Sequence, residues 1–254
     1  MSAIAVSCLV FACVFSGAIL AMFVGRALPD HHLSGDSKDV IKLAMALIAT
    51  LAALVLGLLI ATTKGMFDTQ SGAVKQISAN VILLDRVLAN YGSETQEARD
   101  LLHRSTASTL HRIWPENGAR PADLAPGEAR RETHIFYDKV AALSPQNDAQ
   151  SSLKARALQI TFDLAQTRYQ LFVQEDSSIP TAFLVVLVFW LTILFAGYGL
   201  LAPRNPTIIA ALFVCTLSVS GAIFLILDMA KPLEGATIRI SSAPLHDALS
   251  HIGE

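Results

Sequence analysis

The chain has 254 residues, a hydrophobic fraction of 53% and a charged fraction of only 16%. Soluble domains carry about 25% charge, so the deficit points to a membrane protein. A net charge of −2 provides no basic surface for nucleic acid, and the three cysteines fit neither a metal-ligand spacing nor a disulfide framework.

The missing charge is concentrated in four uncharged runs: Met1–Gly25, Leu43–Thr63, Ile179–Pro203 and Asn205–Leu227. Each is long enough for the roughly 20 helical residues that cross a bilayer core. The predicted fold is therefore all-α, a polytopic membrane protein with four transmembrane helices and an inserted, coiled-coil-like soluble domain. Residues 1–63 hold the first two spans, at about 3–25 and 40–63. Residues 64–178 form the helical domain. Residues 179–229 hold the last two spans, at about 180–202 and 206–228, and 230–254 form a tail.

Nothing charged precedes Arg26, so the first run lacks the basic start of a signal peptide and reads as a retained span. Cys8, Cys13 and Cys215 lie inside spans and read as small packing residues. Pro29 and Gly35 punctuate the first loop as a hairpin. His31 and His32 stand there beside Asp30 and Asp36, which offers metal or proton chemistry, with a solvated turn the plainer reading.

The second span carries a stripe of small residues at helical spacing: Ala46, Thr50, Ala53, Gly57 and Ala61, pointing on to Lys64. The opposite face is large: Leu47, Leu51, Leu54 and Leu58. Small residues let helix backbones approach, so close packing is the simpler reading. The functional reading is a pore wall with Lys64 near its mouth favouring anions.

In the inserted domain, Val74, Ile77, Val81, Leu84, Leu88 and Tyr91 step by three and four, which is a coiled-coil seam. Ser93 with Gln96 predicts a capping box for a second helix that stops at Trp114–Pro115. A loop to about Arg131 and a shorter helix from Glu132 to Leu143 follow. Leu153, Ala157, Ile160, Leu164, Thr167 and Leu171 form another seam. Both seams start or end close to spans, so the domain is expected to couple to them.

Asn205 is placed to cap the fourth span, with Pro206 in its first turn and Pro180 in the same part for the third. In the tail, Lys231–Gly235 reads as a turn and Thr237–Ser241 alternates like a short strand. A short amphipathic helix follows, with Leu245, Ala248, Leu249 and Ile252 on one face. That face needs the membrane surface or the helical domain as a partner.

Lys64, Lys75, Arg168, Lys231 and Arg239 lie on the domain side, against Arg26, Lys38, Lys42 and Arg204 on the loop side. The excess predicts a cell inner-membrane protein with domain and both termini in the cytoplasm. There is no phosphate-binding glycine loop, nucleophile elbow or zinc-protease motif, so no enzyme, metal or cofactor is indicated. His103 and His111 lie eight residues apart on one helix, too far to share a metal from that helix alone. No charge lies deep in a span, and Asp228 ends the fourth, which argues against a coupled transporter but not against a passive channel.

Several segments resemble a bacterial family of bestrophin-like domains of unknown function. They are Gly57-Leu-Leu-Ile-Ala-Thr-Thr-Lys-Gly-Met-Phe67-Asp68, then Ser78-Ala-Asn-Val-Ile-Leu-Leu-Asp-Arg-Val-Leu88, and Arg112-Ile-Trp-Pro115. Phe189-Trp190, the stretch from Phe195 to Asn205 and the stretch from Pro232 to Pro244 add to them. The resemblance implies four spans, a helical cytosolic portion, a homopentamer by analogy, and anion conduction past the second span. The small stripe of this second span differs from the aromatic neck of true bestrophins. Two functions of different class are therefore carried forward. One is an oligomeric, passive anion channel in the lipid bilayer. The other is a membrane-anchored scaffold or signalling module that transports nothing.

Overall fold

The structure is a computed structural model, and it describes residues 2–27, 35–114, 126–175, 181–203, 205–233, 235 and 237–252. Among these, every regular element is helical: α1 (Ala3–Ala27), α2 (Gly35–Tyr91), α3 (Gln96–Ile113), α4 (Pro126–Ala141), α5 (Asp148–Glu175), α6 (Thr181–Leu201), α7 (Pro206–Met229) and α8 (Ala243–His251). α1, α2, α6 and α7 are long and apolar enough to cross a membrane. Helices satisfy every backbone group internally, which hydrocarbon demands. The chain is a four-span helical membrane protein that divides into two compact units. One comprises residues 1–65 and 178–230, the other residues 66–177 and 231–254.

In the membrane unit α1 lies against α6 and α7. Val10, Val14, Ala18 and Met22 recur every four residues on α1 and are buried. They pack with Leu187, Leu191 and Phe195 of α6 and with Leu212, Ile223 and Ile226 of α7. Glycine lets α1 and α6 touch through their backbones. A Cβ at Gly199 would stand 2.1 Å from the carbonyl oxygen of Ala18, and one at Gly25 would stand 3.0 Å from that of Leu200. Spare hydroxyls turn back on their own helices, Thr192 donating to the Val188 carbonyl and Thr216 to that of Leu212. The cysteines do not pack inside the chain. Cys8, Cys13 and Cys215 all fall on outward lines of their helices and are exposed.

The soluble unit is built on the far half of α2. Val74, Ile77, Val81, Leu84, Leu88 and Tyr91 are all buried. They share a core with Leu102 of α3, Val140 of α4, Ile160 of α5 and Leu245 of α8, among others. Asp85 accepts two hydrogen bonds from Arg99 of α3, at 2.8 and 2.9 Å. That bidentate bond raises the Arg99 pKa further and ties α2 to α3, while Arg86 next door is exposed. Lys139 of α4 bonds Glu97 of α3 and holds its carboxyl below the usual range.

Three expectations about chain punctuation are corrected. Ser93 caps nothing, because Ser93–Thr95 is a 3-10 turn and α3 has no side-chain cap. Gly92 there adopts a positive φ of 137°. The Thr95 hydroxyl instead sits 2.6 Å from the Leu88 carbonyl and 2.8 Å from that of Gly92. The capping exchange belongs to α5, where Asn147 accepts from the Gln150 N–H and Gln150 accepts from the Gln146 N–H. Thr237–Ser241 is not a strand among the described residues. A lone strand has no ladder, so Ile240 donates its N–H to Pro232 and accepts from the Trp114 indole N–H, each at 3.0 Å. The third correction concerns α4, which starts at Pro126 rather than at Glu132, with proline at its first turn.

Asn205 is the N-cap residue of α7 and Pro206 opens it, but the Asn205 side chain makes no cap bond and its backbone carbonyl accepts instead. The α8 face finds its partner in the helical core, where Leu245, Ala248 and Ile252 are buried. Pro29, His31, His32 and Pro180 lie outside the described residues.

Candidate functional site

α2 is one helix of 57 residues, about 85 Å long at 1.5 Å per residue. Its membrane half presents three faces, because each residue advances roughly 100° around the axis. Met45, Ala52 and Leu59 form the buried face, at 5%, 4% and 9% exposure. Ala46, Thr50, Ala53, Gly57, Ala61 and Lys64 form the second, about a third of a turn away. Every one of the six is exposed within the chain. Leu47, Leu51, Leu54 and Leu58 form the third face, and they are exposed as well.

All six residues therefore share one line, and among the described residues no second element is brought over it. A Cβ built at Gly57 meets nothing within 4 Å. The Thr50 hydroxyl donates to the Ala46 carbonyl at 2.9 Å, so only its lone pairs face outward. Such a surface has no nucleophile, acid or base. It offers room, low polarity and, at Lys64, one cation. Among the described residues no group of three or more His, Cys, Asp or Glu side chains gathers as a metal would require. His103 and His111 are exposed on α3. The soluble core encloses a cavity of about 20 Å³ between Leu102, Phe136, Thr161 and Arg168, room for one water.

Composition alone did not reveal the continuation of the buried face. Thr63, Gln70, Ile77, Leu84 and Tyr91 recur every seven residues and all are buried. The heptad spacing was the readable signal, crossing from apolar to polar residue types. Thr63 is 1% exposed and Ser220 on α7 is 4% exposed, and among the described residues neither hydroxyl has a hydrogen-bond partner. Asp228, at the end of α7, is also buried.

This is the architecture of a helical membrane protein whose second span keeps two faces uncovered. The bestrophin-like domain family matches residues 12–245, and the chain belongs to that family. Two solved structures of single-substitution variants of a bacterial bestrophin homologue from Klebsiella pneumoniae share its fold. Both have a TM-score of 0.66, at 12% and 13% identity. The first alignment covers 96% of each chain, the second 99% of this chain and 97% of the other. No curated protein matches the chain.

Proposed function

We propose that the protein is a subunit of an oligomeric, passive anion channel whose path is lined by α2. The observation that carries this reading is the uncovered line of Ala46, Thr50, Ala53, Gly57, Ala61 and Lys64. A helix in hydrocarbon gains nothing by keeping a small face toward lipid, whereas copies arranged around an axis would turn that face inward. Lys64 would favour anions at one end. Family membership and the bestrophin fold support the reading, and a pentamer follows by analogy. An excess of Lys and Arg near the span ends on the domain side supports a cytoplasmic soluble unit and termini, in a protein of the inner membrane. Purified protein in planar bilayers is expected to pass chloride. Silence across anions, pH and calcium, from protein of confirmed oligomeric mass, would sink the channel.

A second reading rests on the continuity of α2, a single helix from Gly35 to Tyr91. A helix that continues from span into soluble core suits a scaffold or signalling module that transmits without transporting. A stable oligomer that never conducts would favour it.

A further inference from the structure

Past the span, α2 keeps a broad exposed arc, and charge is confined to one half of it. From Lys64 to Tyr91 the exposed charged side chains of this helix are Lys64, Asp68, Lys75 and Arg86, while Asp85 is buried against Arg99. At roughly 100° per residue these four fall within about 40° of one another, on the line that Thr50 and Gly57 occupy in the span. The other half of the arc holds Thr69, Gly72, Gln76, Leu83 and Asn90, exposed and uncharged. These continue the line of Leu47, Leu51, Leu54 and Leu58. One helix thus keeps the same two strips from Ala46 to Asn90. Small residues run beside leucines in the span, and charges run beside uncharged residues beyond it. Solvation alone favours charge anywhere on an exposed arc and gives no reason for the division.

The spacing is regular as well. Lys64, Lys75 and Arg86 follow one another at intervals of eleven residues, three turns of helix. Asp68 stands one turn after Lys64, so the formal charges of that turn sum to zero. On α2 no exposed acid lies within a turn of Lys75 or Arg86.

We propose that Lys75 and Arg86 determine selectivity for small inorganic anions, as two rungs of a cationic ladder on a conducting line that continues along α2 past the span. The ladder rests on the channel reading above and shifts its anion preference from Lys64, which Asp68 offsets, to these two residues. In an oligomer with α2 around the axis each rung becomes a ring of like charge, the arrangement that selects counter-ions. Magnitude sets how the rungs act. They stand about 16.5 Å apart along the helix, twice the Debye length of ~8 Å at physiological salt. Each level therefore works on its own surroundings, and the two contributions add. In dilute salt the Debye length grows to ~30 Å and the levels overlap.

The test is the reversal potential of the purified oligomer in planar bilayers under a potassium chloride gradient, read as the chloride-to-potassium permeability ratio. Lys75→Gln and Arg86→Gln are each expected to lower the ratio, and the double variant to lower it severalfold, most in dilute salt. Lys75→Arg returns a cation and is expected to recover what Lys75→Gln loses. Asp68→Asn removes the offsetting charge and is expected to raise the ratio. Native mass is measured on every variant. Loss of the oligomer in the Gln variants would make these cations assembly contacts and overturn the ladder. An unchanged ratio in the double variant, from a parent that conducts chloride, overturns the ladder and leaves the channel standing. A silent oligomer, or one that prefers potassium, overturns the ladder and the anion channel together.

Discussion

On α6, Gly199 leaves a Cβ position 2.1 Å from the carbonyl oxygen of Ala18; on α2, Gly57 leaves one with nothing within 4 Å. Glycine inside a helix costs about 1 kcal/mol relative to alanine, so both positions need a reason. The neighbour of Gly199 is in the same chain. Among the described residues nothing lies within 4 Å of a Cβ built at Gly57, and the same holds for Gly72 on that helix. A small residue thus means close packing in one region and an unmet neighbour, or an open path, in the other. Only the surroundings separate the two.

The largest expected effect tests the packed region. Gly199→Ala drives a methyl into backbone, which cannot move as a side chain does. Destabilisation of about 3 kcal/mol is expected, the upper end for overpacking. Thermal unfolding in detergent, followed by the fluorescence of Trp114 and Trp190, reads it. An unchanged midpoint would mean that α1 and α6 do not touch at Ala18.

Next comes the soluble half of α2, where the chain again answers its own groups. Asp85→Ala strands the Arg99 guanidinium in the core. A loss of about 2 kcal/mol is expected, below that of a fully buried pair because Arg99 keeps 14% side-chain exposure. The same unfolding measurement decides it. A loss too small to resolve would show that Arg99 finds water or another acceptor.

Gly197→Ala separates contact with backbone from contact with a flexible side chain. Its Cβ would meet the Met45 thioether at 2.6 Å, the far end of an unbranched side chain that can swing away. Helix propensity repays part of the cost, so the net change is expected to stay under about 1 kcal/mol. A loss as large as that of Gly199→Ala would mean that Met45 is locked in place.

The spans and both soluble seams were legible in the sequence because their cause is periodic. Apolar runs of membrane length and steps of three and four record burial directly, and Val74 to Tyr91 needed no other information. The strand at Thr237–Ser241 was misread because alternation is only half of a strand; the ladder partner is missing. The cap at Ser93 was misread because Gly92 already turns the chain, and Asn147 had the better geometry. The stripe on α2 was legible as a pattern but not as a surface. Among the described residues nothing covers Ala46 or Gly57, and no periodicity reports an absent neighbour. Thr63 and Gln70 escaped because they continue a buried line in polar residue types.

Gly57→Ala is expected to change stability least, and it divides the readings most cleanly. Among the described residues the added methyl touches nothing, so the subunit should gain up to about 1 kcal/mol from helix propensity. Its effect on assembly depends on what faces Gly57. If another copy packs there, the methyl separates the helices, and the oligomeric mass shifts toward smaller species at low protein concentration. If the face lines a water path, assembly is untouched and the bore narrows at one level only. Single-channel conductance should then fall, and Gly57→Leu should reduce it further. Dissociation without a conductance change assigns the stripe to packing, and reduced conductance from an intact oligomer assigns it to the path. The substitution therefore tests the uncovered face of α2 with a methyl group that the isolated chain does not register.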